Sequence, residues 1–238
     1  MLVLPEAGGG AVCVGQAAHA WTCGQMARAW AWPLDRPEPA ALAAQQHDAG
    51  MAEWDLRPLR DDETGLPVAF TAMPVDVHVG LWEQAPAKVL SQSTYAAMGL
   101  ALHGARLLAR RKDEHAREVA RGLEALAAQL GGRCGADAAE RERLRALIGL
   151  WDDLSLCLLV GWALDDHPVP GPGGVTVVPA LVRDDLGVAS VRPWPFAEDE
   201  LVVSCEGRRL AGPAADADEL ADALASAELV ELRFVLRR

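Results

Sequence analysis

None of the five cysteines, Cys13, Cys23, Cys134, Cys157 and Cys205, forms a CxxC or CxH spacing with another metal-binding residue, and their number is odd. That argues against a thiolate zinc site or a disulfide framework and predicts reduced, mostly buried thiols. The opening MLVLPEAGGG lacks a basic segment ahead of its apolar residues and breaks at Pro5, unlike a secretory signal. No apolar run has the length of a membrane span; the nearest, residues 154–164, is too short and follows Asp152-Asp153. A cytoplasmic location is therefore expected. Phosphate-binding and nucleophile motifs are missing as well. The GPGG at 171–174 lacks the lysine and helix of a P-loop, and no serine has a Gly-x-Ser-x-Gly context. No internal repeat is evident.

What is present is enough for a large core. The chain has 238 residues, 51% of them hydrophobic and 24% charged, which fits one soluble domain with at most a small appended layer. A formal net charge of -12 opposes non-specific binding to duplex nucleic acid or to an anionic membrane, because both would be repelled at long range. A small anionic molecule is still admissible where metal and arginine reverse the sign locally.

The patterning divides the chain into three stretches. Residues 1–15 read as an N-terminal β-hairpin, MLVL and AVCVG around a Gly-rich turn. Residues 16–167 read as helical. His19, Thr22, Cys23, Met26 and Trp30 share one helix face before Pro33, and a second helix begins among Asp35–Pro39 and ends at His47-Asp48, with Gly50 as a left-handed cap. A long loop over 51–74 could roof a pocket. Further helices are expected from Val77, from Ser93 or Thr94, through 113–145, and along the largely apolar stretch around Asp152-Asp153. Residues 168–238 read as β-rich, with a Glu206-Gly207 turn, a short helix near Asp216–Ser226 and a last strand of period two. The expected class is α+β: a helical core with a small antiparallel sheet made by the C-terminal segment, which the N-terminal hairpin could join.

His19, His103 and Asp152 fall on buried helix faces, where a polar side chain is costly unless paired or metal-bound. A lone inward histidine is usually satisfied by a hydrogen bond, and a mid-helix aspartate can pair with arginine. The adjacent His47-Asp48 shifts that balance, since imidazole and carboxylate together suit a first-row divalent ion.

The ordered series His19, His47-Asp48, Asp152 resembles the metal-binding signature of the HD-domain superfamily. The stretches QAAHAWTCGQMARAW, HDAGMAEWD, DDETGLPVAF, WDDLSLCL and RPWPF, with the His103 helix between, are similar to one bacterial family of HD-like proteins across essentially the whole chain. The resemblance implies an HD-like helical core and a metal-dependent phosphohydrolase acting on a small phosphate ester or nucleotide. It also leaves open a di-iron oxygenase or a non-catalytic ligand-binding module. His19, His47, Asp48 and Asp152 would hold one divalent ion (iron, manganese, zinc or nickel), with Asp153 as the substitute for Asp152. In a two-ion site Asp48 would bridge, and His78 and His103 stand in the ordinal places of the extra ligands. Many HD phosphodiesterases continue as HDxGK, whereas Met51 follows Gly50 here. Glu53 and Asp55, just after the pair, are candidates with Asp48 for the catalytic acid or base. Arg57, Arg60, Lys88 and Arg106 are candidates for the substrate's phosphate oxygens.

Overall fold

The computed structural model describes residues 1–184 and 188–238. In chain order the elements are β1 (Leu2–Pro5), β2 (Ala11–Val14), α1 (Gln16–Ala29), α2 (Pro37–Gln46), α3 (Ala52–Leu56), α4 (Val75–Val89), α5 (Thr94–Ala109), α6 (Glu114–Cys134) and α7 (Ala138–Val160). There follow β3 (Val169–Pro170), β4 (Thr176–Val177), β5 (Ala180–Arg183), β6 (Ala189–Arg192), β7 (Glu200–Leu210), α8 (Ala217–Ser226) and β8 (Glu228–Arg237). The α+β class expected from the pattern is the one observed. Among the described residues no helix is long and apolar enough to cross a membrane.

Capping chemistry sets several helix starts. Ser93 accepts from the Ala96 amide, Asp113 from Ala116, Asp137 from Glu140 and Asp216 from Glu219, so each side chain satisfies an amide that the first helical turn leaves open. α6 ends at Gly135, whose φ of +72° is the left-handed cap. Gly131 and Gly132 lie within α6 and do not break it.

Gly50 does not serve as expected. Its φ is not positive, and it lies in a 3-10 turn over Ala49–Met51. A Cβ at Gly50 would collide with the Leu81 carbonyl and lie 2.9 Å from the Ala85 Cβ. The residue is small because α4 crosses directly over the turn that follows His47-Asp48. The anticipated long loop is also shorter than its sequence suggested, because α3 and a 3-10 turn over Phe70–Ala72 take up part of it.

The hairpin and the C-terminal region share one six-stranded sheet, ordered β1-β2-β7-β8-β6-β5. β2 pairs with β7 in the register Ala11↔Leu210, so the sequence boundaries at 15 and 167 separate layers rather than independent bodies. The sheet is mixed, not purely antiparallel: β6 runs parallel to β8, meeting it at Ala189↔Leu236. The cause is topological. β6 and β7 are successive strands of opposite sense, so β8, inserted between them, must run parallel to one. No turn occurs at Glu206-Gly207, since β7 continues straight through. A Cβ on Gly207 would stand 2.6 Å from Val12 Cγ1, so glycine there admits the close approach of β2.

Two large clusters form the interior. One lies among α2, α4, α5 and α6, where Trp82, Leu100, Leu102 and Leu108 are nearly inaccessible. The other joins α1 and α7 to the sheet through Cys23, Met26, Trp30, Trp151, Val191, Phe196 and Leu236. α7 is shared by both, and Asp152 is carried at the seam.

Candidate metal centre

Four helical segments deliver the polar side chains. His19 sits on the buried face of α1, His47 at the C-cap of α2, His103 mid-way along α5 and Asp152 mid-way along α7. All four, with Asp48, are at most 5% exposed. Asp48 follows the helix end with φ -98° and ψ 16° and caps nothing with its side chain, so its carboxylate is free to turn back toward His19.

The donor atoms converge. His19 Nε2 lies 3.2 Å from His47 Nε2, 3.0 Å from Asp48 Oδ2 and 3.4 Å from Asp152 Oδ1. His47 Nε2 lies 3.4 Å from Asp48 Oδ2 and 3.5 Å from Asp152 Oδ1. Around an ion with bonds of about 2.1 Å, neighbouring donors stand about 3.0 Å apart in an octahedron and about 3.4 Å in a tetrahedron. Four of the five separations fall in that interval, and the fifth, His47 Nε2 to Asp152 Oδ1 at 3.5 Å, lies just beyond it.

Tautomers support the same fit. His47 Nδ1 is 2.7 Å from the Ala44 carbonyl, which can only accept, so Nδ1 carries a hydrogen. His19 Nδ1 donates to Ser155 Oγ, which in turn donates to the Asp152 carbonyl at 3.0 Å. In both neutral rings the Nε2 lone pair therefore faces the cluster, held by partners of the kind that orient metal-ligating histidines. Two such lone pairs and two carboxylate oxygens at these separations repel one another unless a proton or a cation lies between them.

Electrostatics state the same need. Burial alone would push both imidazoles down, but the Asp152 and Asp48 contacts outweigh it for His19, and the Asp48 charge outweighs it for His47, so both are raised. Burial would raise Asp48 and Asp152; the facing histidines outweigh it and hold both carboxyls below their usual range. In the absence of an ion, a proton on either Nε2 faces the Asp48 and Asp152 oxygens as well as the other ring.

Around this core the sequence candidates separate. Asp152, rather than Asp153, faces the histidines. Its Oδ2 accepts from Arg106 Nη2 at 3.0 Å, leaving Oδ1 to the cluster, while Asp153 pairs with His167 Nε2 at 2.5 Å. His103 stands at the edge: its Nε2 is 3.7 Å from Asp152 Oδ2, its ring is 4.7 Å from that of His47, and burial drives its pKa down to about 3. With His47 and Asp48 it forms a group whose donors lie within 4.8 Å of one another.

His78 lies outside these groups. Two N–H groups face its ring, Trp82 Nε1 at 2.8 Å from Nε2 and Arg111 Nη2 at 2.7 Å from Nδ1, and the one lone pair of the neutral imidazole can accept from only one of them. Burial, then the Arg111 charge, lower its pKa to about 4. Cys23 belongs to a second group with His19 and His47, but its Sγ donates to the His19 and Trp151 carbonyls, and burial pushes the thiol up to about 12. It is a core thiol beside the centre.

A cavity of about 360 Å³ opens onto the cluster and is lined by His19, Asp48, His103 and Asp152, with Arg110, Arg111, Phe70 and Trp162 nearer its mouth. Five sequence candidates are elsewhere. Glu53 turns outward from α3 and pairs with Lys88 at 2.8 Å, so neither reaches the cavity. Asp55 accepts from the Gln16 amide at 2.5 Å and lies 2.9 Å from the Met1 amino group; it anchors the start of α1. Arg57 is exposed beyond α3, and Arg60 donates to the Ala214 carbonyl and pairs with Asp62. Proximity in sequence to His47-Asp48 does not carry over, because α3 turns away behind α4. Arg110, Arg111, Ser155 and His167 went unnoticed. Ser155 had a legible signal, a hydroxyl one helical turn after Asp152 that can reach back to its carbonyl.

No curated protein and no solved structure matches the chain. The family described as a protein of unknown function, DUF3891, matches it over residues 1–212, and the chain belongs to that family.

Proposed function

We propose that the protein is a metal-dependent phosphohydrolase of the HD type, acting in the cytoplasm on a small phosphorylated molecule and not on duplex nucleic acid. The observation that carries this reading is the convergence of His19 Nε2, His47 Nε2, Asp48 Oδ2 and Asp152 Oδ1 at the floor of a cavity, with both Nδ1 atoms tied to acceptors. Those four residues would hold a divalent transition-metal ion. When bound, such an ion supplies Lewis acidity and a nucleophilic water near neutral pH.

The remaining work falls to the chain. Arg106 keeps one oxygen of Asp152 occupied, so that the other alone turns to the centre. Ser155 and the Ala44 carbonyl hold the two rings in their ligating tautomer. Arg110 and Arg111 line the same cavity and bring positive charge to the side chains that a phosphate would meet. Phe70 and Trp162, with ring centroids 6.0 Å apart, offer an apolar wall to the organic part of the ester.

Metal content measured on purified protein tests the assignment. His47→Ala is expected to retain little of the metal that the parent chain carries, and to lose phosphatase activity with it. Equal metal in both proteins would refute the assignment, whereas oxygen uptake with ferrous iron and no phosphate release would replace hydrolysis with oxidation.

Acidity supplies a second expectation. In metal-free protein the raised imidazoles stabilise the fold fully below their unfolded pKa of about 6.5, and this contribution fades as pH climbs through their folded values. An ion must displace whatever proton these imidazoles carry, so its affinity should rise with pH across the same window. Titration calorimetry in buffers of different ionisation enthalpy reads the proton released; binding with no release would contradict the ligand set.

A further inference from the structure

Two fixed donors block His78. A neutral imidazole has one lone pair, on Nδ1 or on Nε2, and each of those atoms already faces an N–H. Toward Nε2 comes the indole of Trp82, one turn further along α4 and 2% exposed, so that donor is held by the core. Toward Nδ1 comes the Arg111 guanidinium, just past the end of α5. An ion bound at Nδ1 would have to take the place of a group that already carries a full positive charge.

We propose that the centre takes a single divalent ion, and that Arg111, whose Nη2 lies 2.7 Å from His78 Nδ1, supplies the second positive charge in the cavity and binds the phosphoryl oxygens of the substrate. The inference rests on the phosphohydrolase reading above and adds its ion count and its anion-binding residue. Arg111 suits the task by geometry. One of its five N–H groups faces His78, and the guanidinium lines the cavity that His19, Asp48 and Asp152 also line. Arg110, its neighbour, is less suited: it is largely exposed, and Asp165, 3.6 Å away, offsets its charge. Arg106 is committed to Asp152. His78 is then a positioning residue that aims the guanidinium, and not a ligand.

The test titrates chelated, full-length protein with Mn²⁺ and then measures inorganic phosphate binding to the loaded form. One ion per chain is expected, with the same count in His78→Ala. Phosphate affinity should fall roughly tenfold to a hundredfold in Arg111→Ala, as for loss of a charge-assisted hydrogen bond, and less in Arg111→Lys, which keeps the charge and guards against misreading a folding defect. Two ions in the parent chain, with one lost in His78→Ala, would overturn the proposal and leave the phosphohydrolase reading standing. Unchanged phosphate affinity in Arg111→Ala would also overturn it. No ion at all in the parent chain would bring down both.

Discussion

Asp152→Asn should fold and yet bind metal at least about a hundredfold more weakly than the parent chain, more than the 10–100-fold typical of losing a partner that only supports a ligand. The amide keeps the shape of the carboxylate and can still accept from Arg106, so the buried pair is weakened and not broken. Asp152→Ala does both kinds of damage. It removes a ligand and leaves the Arg106 guanidinium, whose side chain is 12% exposed, without its partner at 3.0 Å and with only Asp153 Oδ1, 3.9 Å away. Breaking a buried ion pair from one side costs about 3–5 kcal/mol. Metal analysis and urea unfolding on the two variants separate the effects: Asn low in metal and near parental stability, Ala low in both. If Asn retained parental metal affinity, Asp152 would be a structural partner of Arg106 and nothing more.

One position earlier, Trp151→Ala is expected to have the largest effect on stability. The indole is wholly buried, and its ring centroid lies 5.6 Å from that of Trp30, so its loss opens a cavity where α1, α7 and the sheet meet. Truncating a buried tryptophan costs about 3–5 kcal/mol. A smaller term acts the other way, because Trp151 Nε1 is buried with no hydrogen-bond partner, and relieving it returns about 1–3 kcal/mol. The cavity wins. Trp151→Phe keeps most of the packing and deletes the unpartnered N–H, so it should lie within about 1.5 kcal/mol of the parent. Equal urea midpoints for Ala and Phe would show that packing at this seam contributes little.

The centre was legible wherever a polar residue broke an apolar helix face. His19 lies with Thr22, Cys23 and Met26 on the buried face of α1, His103 is enclosed along α5, and Asp152 interrupts the apolar middle of α7; all three proved buried and brought together. Periodicity along one helix gives the direction of a side chain relative to that helix alone. It does not say which neighbour covers it, so His78 faces inward as its pattern allows but meets Trp82 and Arg111 there. Arg111 gave no signal, because a cation at the end of a helix reads as a solvated residue unless the cavity it borders is known. Gly50 misled for a related reason. A glycine after a helix suggests a left-handed cap, yet the constraint here is the backbone of α4, far along the chain. The sheet's mixed sense was hidden for want of any local mark that β8 inserts between β6 and β7.

That insertion governs the order in which the molecule can be completed as it is made. His19, His47, Asp48, His103 and Asp152 all precede residue 161, so every donor of the centre has been synthesised before any of the C-terminal strands. β6 and β7 then emerge with a gap between them that only β8 fills, in a ten-residue ladder on the β7 side. Until then each presents an open row of amides and carbonyls. The nascent chain thus has a stage at which the site residues can gather while the sheet beneath α1 and α7 is still divided, and closing that division is the task of β8.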